Sequence, residues 1–139
     1  MQKRFRFISL CCALCMLLSC EPIVGGPCEY VDIPGTATIV SVTPVSEDAA
    51  PAYDAVEVLF DFVPDDPSAA EKYLFPEWPD SGQKMTLWGG TSLPRQWVQD
   101  QGLAVESLHS CIRSEIIEGT CTPVVFSFPD LSDPDWPQS

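Results

Sequence analysis

His109 is the only imidazole in the chain, and a hydroxyl group, that of Ser110, follows it directly. A serine hydrolase needs such a base held against its nucleophile and a third group that orients the base. The chain contains no G-x-S-x-G nucleophile elbow, and nothing in the spacing makes these two side chains point the same way. We therefore predict that the protein is not an enzyme, and a hydrolase built around His109 is the least favoured function.

Acidic side chains are abundant, and carboxylates can form a catalytic pair or bind a divalent cation. Asp65, Asp66 and Asp80 lie in proline-rich stretches, whereas a catalytic pair needs a cleft that raises one pKa. The D-x-D-x-D-G spacing of a dedicated calcium loop and the phosphate-binding glycine motifs are absent. We predict no metal site and no cofactor, and keep a small-ligand or divalent-cation-binding domain as the alternative function.

The start of the chain has the charge and hydropathy pattern of an export signal. Lys3, Arg4 and Arg6 precede an apolar run from Ile8 to Leu18. This run is too short to cross ~30 Å of hydrocarbon, which takes roughly 20 apolar residues. A secretory signal is therefore favoured over a spanning helix.

The apolar run ends in the sequence LLSC, residues 17–20, which resembles the lipobox of bacterial lipoproteins. In that family the signal is cut just before the cysteine, whose sulfur carries a diacylglycerol. The resemblance implies that residues 1–19 are a removable signal and that lipid on Cys20 anchors the protein to a membrane of the cell envelope. Because Glu21 rather than aspartate follows the cysteine, the outer membrane is favoured in a Gram-negative host.

Seven cysteines become three under this interpretation, because three leave with the signal and Cys20 carries lipid. Cys28, Cys111 and Cys121 would then face an oxidising compartment, which favours one disulfide. We predict a bond between Cys111 and Cys121, since the nine residues between them include Gly119 and close readily into a loop. A bond from Cys28 to either of the other two is the open alternative. Without CxxC spacing, these thiols make a poor zinc site.

The exported part of the chain is strongly acidic. Its four basic residues stand against all 20 acidic ones, which leaves a formal charge near −16. Such a surface repels nucleic acid, which is therefore excluded as a partner. It would attract a basic partner or cations, although solubility is the commoner meaning.

About 120 residues follow the signal, which is enough for one domain. Residues 20–34 contain two glycines and three prolines, and we predict a lipidated tether there. Residues 129–139 are acidic and proline-rich, which predicts a loose tail. Residues 35–128 are left as a single β domain.

Within that domain the hydropathy alternates with the period of two that is typical of strands. The predicted strands lie near residues 36–43, 55–63, 84–88, 103–108 and 123–128. In the second strand, the inward face is formed by Val56, Val58, Phe60 and Phe62. A helix is expected between the third and fourth strands, with Ser92 as its N-cap, Pro94 in its first turn and Gly102 at its end.

This order of three strands, a helix and two strands resembles the OB-fold. We predict a mainly all-β fold: a five-stranded OB-like barrel with one short helix between strands 3 and 4. The alternative is an immunoglobulin-like β-sandwich, which needs about seven strands. Residues 111–117, to which no strand is assigned, could provide one more.

The connection between the second and third strands, residues 64–82, is much longer than the two to five residues of ordinary hairpin loops. Its aromatic side chains Tyr73, Phe75 and Trp78 could form a recognition patch for an envelope protein or glycan. The competing interpretation is a short helix over residues 68–75 that covers the barrel and buries them, which is the commoner outcome in small domains. The leading hypothesis is a non-catalytic, lipid-anchored interaction module.

Overall fold

The structure is a computed structural model that describes residues 27–45, 53–86 and 92–133. The predicted signal (1–19), the lipidation site Cys20 and residues 134–139 of the predicted tail lie outside these ranges.

Strands dominate the described parts of the chain. They are β1 (Glu29–Pro44), β2 (Ala55–Pro64), β3 (Gln83–Lys84), β4 (Leu93–Pro94), β5 (Leu108–Glu118) and β6 (Val124–Ser127). A 3₁₀ helix covers Pro67–Lys72 between β2 and β3, and a short α-helix, α1, covers Arg95–Asp100 between β4 and β5. The predicted all-β class is confirmed.

All the strand pairs are antiparallel, and the strands lie in the order β3-β2-β1-β5-β6, with β4 pairing β2 farther along the edge that β3 occupies. β1 is long enough to pair with β5 along Glu29–Thr38 and with β2 along Gly35–Pro44. An extra residue, Val40, bulges from β1 opposite β2, which increases the local twist. The sheet therefore curls into a half-barrel. The described strands form this one sheet rather than the two packed sheets of an immunoglobulin-like sandwich.

Gly35 lies where β1 begins to pair with both neighbours. A Cβ atom there would collide with the carbonyl oxygen of Val63 and with the ring of Phe62. Only glycine permits this close approach of β1 to β2.

The concave face of the sheet holds the hydrophobic core. The predicted inward face of β2 is confirmed, because all four of its side chains are buried. The other core residues are Ala37, Ile39, Met85, Leu93, Trp97, Val98, Leu103 and Cys111. Burying each large apolar side chain contributes about 1.5–3 kcal/mol, so the inward faces of β1 and β2 and one side of α1 hold the domain together.

The helix begins later than predicted. Its N-cap is Pro94 rather than Ser92, because Leu93 and Pro94 pair with β2 and keep the chain extended. Its end matches the prediction: Gly102 takes a positive φ of 68° and its N–H donates to the carbonyl of Gln99. Glycine is the residue that most easily takes this conformation at a helix end.

The predicted strand at 103–108 is wrong. Residues 103–107 form a turn in which Ser107 and Glu106 bond to the main chain of Ile39, and the strand begins at Leu108. Its inward side chains include Arg113 and Glu115, while Ile112 and Ile116 lie on the other face. Because charged side chains lie on the inward face and apolar ones on the outward face, the hydropathy pattern did not predict this strand correctly.

Both ends of the predicted domain extend further than expected. β1 begins at Glu29, so residues 29–34 belong to the sheet rather than to a tether. After β6, Leu131 packs against the core, and the Nε1–H of Trp97 donates to the carbonyl of Ser132 at 3.0 Å. Residues 129–133 are therefore held against α1, although their composition predicted a loose tail.

The predicted disulfide between Cys111 and Cys121 is wrong, since Cys28 is bonded to Cys121 and Cys111 is buried in the core as a thiol. The β1–β5 register places Glu29 opposite Glu118, which brings Cys28 beside the β5–β6 connection. Cys111 lies seven residues before Glu118 on the extended strand, a distance of roughly 23 Å at ~3.3 Å per residue. A disulfide needs Cα atoms within about 7 Å. Cys111 is therefore too far along β5 to reach the cysteines near its end.

Candidate functional site

Residues 73–80, which include the predicted recognition residues Tyr73, Phe75 and Trp78, lie across the inward side of β5. The 3₁₀ helix leads into it, and the side chain of Asp66 caps that helix by accepting the N–H of Ser68 at 2.9 Å. This hydrogen bond lowers the pKa of the Asp66 carboxyl. We call residues 73–80 the crossing loop.

Arg113 anchors the crossing loop from beneath and is fully buried. Its Nε and Nη2 donate to Oε1 of Glu115 at 3.0 and 2.8 Å. Nη2 also donates to the carbonyl of Phe75 at 2.9 Å, and Nη1 donates to the carbonyl of Trp78 at 3.0 Å and to Oδ1 of Asp80 at 2.9 Å. These five bonds match the five N–H groups of a guanidinium. The buried cation is thus fully satisfied.

Glu115 completes the network from the same strand and is also fully buried. Its Oε1 faces Arg113, and its Oε2 accepts the main-chain N–H of Leu74 at 2.7 Å. The pair therefore holds the loop through Leu74 at its start and Asp80 at its end. A buried ion pair of this kind is stable only while both partners and their hydrogen bonds are present.

Tyr73 lies over this network. The guanidinium carbon of Arg113 is 4.1 Å from the centre of its ring, and its hydroxyl donates to Oδ2 of Asp80 at 3.0 Å. Burial, followed by the hydrogen bond to Asp80, raises the pKa of Tyr73 to about 12. The hydroxyl is thus used inside the molecule, and Tyr73 is a structural residue of the loop.

The three predicted recognition residues are close together but differently placed. Tyr73, Phe75 and Trp78 are half-buried, while Leu74 between them is 53% exposed. The main-chain carbonyls of Phe75 and Trp78 accept hydrogen bonds from Arg113. Trp78 also lines a groove, so it links the crossing loop to that groove.

That groove, of about 820 Å³, runs between β3 and β6, the two ends of the curled sheet. We call it the seam groove. Its aromatic lining consists of Phe60, Trp78, Trp97, Phe126 and Phe128. Phe60 meets Phe126 and Phe128 edge-to-face, with ring centres 5.3 and 5.1 Å apart. Such contacts fix the rings, so the lining is preformed and apolar.

The walls of the seam groove are strand edges. Within the described ranges, β3 pairs only with β2, and β6 pairs only with β5. Among the described residues, each of these strands therefore has one edge with no partner strand, and that edge borders the groove. The hydropathy pattern predicted strands near β3 and near β6. It could not predict that both strands border one groove, because that depends on how far the sheet curls.

His109, the candidate base, contacts the turn formed by residues 103–107. Its Nε2 is 2.9 Å from Oγ of Ser107, and that hydroxyl also accepts the N–H of Ala104 at 3.1 Å. Ser110 is the next residue of the same strand and so points to the other face. The structure thus does not bring His109 and Ser110 together.

Among residues 27–45, 53–86 and 92–133, no three metal-ligating side chains cluster together, and no helix in that part of the chain is long and apolar enough to cross a membrane. No family model, no curated protein and no solved structure matches the chain. What the protein does must be inferred from its own residues and geometry.

Proposed function

We propose that this protein is a lipid-anchored, non-catalytic binding module of the bacterial cell envelope. It binds another envelope component at the seam groove and the adjoining part of the crossing loop. The observation that carries the proposal is a preformed aromatic groove bounded by two strand edges with which no described strand pairs. Large aromatic side chains in such a groove are typical anchors of binding surfaces.

The anchor is supported by the lipobox-like sequence that ends at Cys20. Eight residues separate Cys20 from the first residue of β1, Glu29. Fully extended, this connection reaches at most about 30 Å. The seam groove would therefore stay close to the membrane and meet partners at its surface. Glu21 after the cysteine favours the periplasmic face of the outer membrane if the host is Gram-negative.

The finer description as an OB-like barrel is supported by the strand order. Three sequential strands lie side by side, α1 follows them, and the last two strands pair on the other side of β1. In this arrangement the seam groove lies where β3 and β6 would meet in a closed barrel. The acidic surface argues against the nucleic acid that some OB-folds bind.

A small ligand is the second candidate occupant. The volume of the seam groove, about 820 Å³, falls within the ~300–1,000 Å³ of small-molecule sites. An apolar molecule would meet the half-buried rings of Trp78 and Phe126 there.

Photo-crosslinking in intact cells tests the proposed function. A photoreactive amino acid replaces Trp78 or Val125, which line the groove, or Val63, which is 59% exposed and does not line it. We expect one recurrent adduct from the two groove positions and none from the control. The proposal fails if the groove positions capture nothing, or if Val63 captures the same molecules.

Metabolic labelling with palmitate tests the anchor separately. The natural chain should incorporate the label and fractionate with membranes, whereas a Cys20→Ser variant should do neither. Labelling of the variant would show that the lipid is not carried by Cys20.

A further inference from the structure

We propose that the occupant of the seam groove is an extended polypeptide segment of a basic partner protein, which adds as a strand between β3 and β6. The inference rests on the proposed function, because it names the kind of partner that the same site takes. Three features carry it: the main-chain groups of the groove walls, the direction of the two edges, and the net negative charge of the chain.

The ladder pattern shows which main-chain groups face the groove. On β3, the N–H of Met85 donates to the carbonyl of Val58 at 2.9 Å, and Lys84 lies opposite Leu59. In an antiparallel ladder, this arrangement turns the N–H and C=O of Lys84 away from β2. They therefore point towards the groove.

The opposite wall follows the same rule. The N–H of Ile116 donates to the carbonyl of Pro123 at 2.9 Å, and Val124 lies opposite Glu115. The main-chain groups of Val124, and of Phe126 two residues later, are thus turned away from β5. Both walls offer hydrogen-bond donors and acceptors at strand spacing, which another extended main chain can match.

The direction of the two edges favours an inserted strand over direct closure. Four antiparallel pairings lead from β3 through β2, β1 and β5 to β6, so β3 and β6 run in the same direction. Joined directly, they would form a parallel pair. A strand inserted in the opposite direction pairs antiparallel with both, and antiparallel pairing is slightly the more stable per residue.

The side chains of the groove specify the partner's sequence. Alternate residues of an inserted strand would face the core side, where Phe60, Met85 and Phe126 lie, and these residues should be apolar. The residues between them would face outwards, towards solvent, beside Lys84 of β3 and Val125 of β6.

The net charge of the chain, rather than the lining of the groove, favours a basic partner. Three of the four basic side chains in the described part of the chain form internal ion pairs: Arg113, Lys84 with Glu57, and Arg95 with Asp54. The acidic residues outnumber these bases severalfold. A basic strand is therefore attracted, whereas a second copy of this acidic chain is repelled.

Selection of peptides tests the inference. Random decapeptides displayed on phage are selected against the full chain held in lipid nanodiscs. We expect recovered peptides that alternate apolar and basic residues. The best of them is then synthesised twice, once unmodified and once with its central main-chain amides N-methylated. N-methylation should weaken binding to the natural chain by roughly tenfold or more, because it removes ladder hydrogen bonds.

A matched pair of variants tests the edge itself. Lys84→Pro removes the N–H that faces the groove while Gln83 and Met85 keep their bonds to β2, and Lys84→Ala removes the same side chain but keeps the N–H. We expect Lys84→Pro to bind the unmodified peptide roughly tenfold more weakly than Lys84→Ala does. Circular dichroism checks that both variants are folded. If Lys84→Pro is unfolded, the comparison of the N-methylated with the unmodified peptide on the natural chain decides.

The results that overturn the inference differ from those that overturn the proposed function. Equal binding of the N-methylated peptide, selection of acidic peptides, or no selected peptide at all would exclude a basic strand. So would a dimer of this chain that Lys84→Pro abolishes. If crosslinking at Trp78 still captures a glycan or small molecule, the binding module stands and only the strand is wrong.

Discussion

Replacing Glu115 by glutamine should lower the free energy of unfolding by about 3 kcal/mol. The substitution preserves the size of the side chain and removes its charge. In the structure the carboxylate accepts three hydrogen bonds, two from Arg113 and one from Leu74. A carboxamide has only one oxygen, so its NH₂ group must face one of these donors. The buried guanidinium also loses its nearest counter-charge.

The magnitude follows from burial. Removing one partner of a buried ion pair costs about 3–5 kcal/mol, because the other charge stays in a low-dielectric site. The lower end applies here, since Asp80 still accepts one bond from Arg113 and its side chain is partly exposed. A loss of this size is a large fraction of the ~5–15 kcal/mol that stabilise a typical domain.

Glu57→Gln is the matched control. Glu57 pairs with Lys84 at 2.8 Å, the same separation as between Glu115 and Arg113, but the side chains of Glu57 and Lys84 are 38% and 46% exposed. The same chemical change should cost no more than about 1 kcal/mol there. The two variants therefore differ in burial rather than in distance.

Urea unfolding followed by tryptophan fluorescence gives both free energies, provided that the slope with denaturant is unchanged. Hydrogen exchange adds a local readout, because the amide of Leu74 should lose protection only in Glu115→Gln. A cost for Glu115→Gln as small as for Glu57→Gln would refute the idea that the buried pair holds the crossing loop.

Three further predictions concern the stability of the sheet and its core. Gly35→Ala should lower the urea midpoint markedly, because the added Cβ would collide with the carbonyl oxygen of Val63; an unchanged midpoint would mean that β1 can shift freely. Reduction of the bond between Cys28 and Cys121 should cost about 2–5 kcal/mol, since it links residues 93 apart. Peptide mapping by mass spectrometry should find this bond, and a link from Cys111 would contradict the structure. Burial raises the pKa of Cys111 from 9.0 to about 12, so the folded state keeps a proton that the unfolded chain loses. Stability should therefore fall as pH rises from about 9 to 12, and fall less in Cys111→Ala when unfolding is measured at each pH.

The local pattern of the sequence determined the strand class, the inward face of β2 and the end of α1 at Gly102. These features depend on alternation along one segment and on the conformational freedom of one residue, which do not require knowledge of the rest of the chain. The crossing loop was also recognisable, because its length and its aromatic residues stand out. The export signal and the lipid on Cys20 stay predictions from residues 1–20.

Only the tertiary structure decided which residues meet. β5 was misplaced because its inward side chains, Arg113 and Glu115, are charged, and their burial is acceptable only when the crossing loop supplies the matching groups. The disulfide was mispaired because proximity along the chain favours Cys111, whereas the β1–β5 register brings Cys28 beside Cys121 from the far end of the domain. The seam groove exists because strands from opposite ends of the sheet curl towards each other, and no local pattern of hydropathy records that curvature.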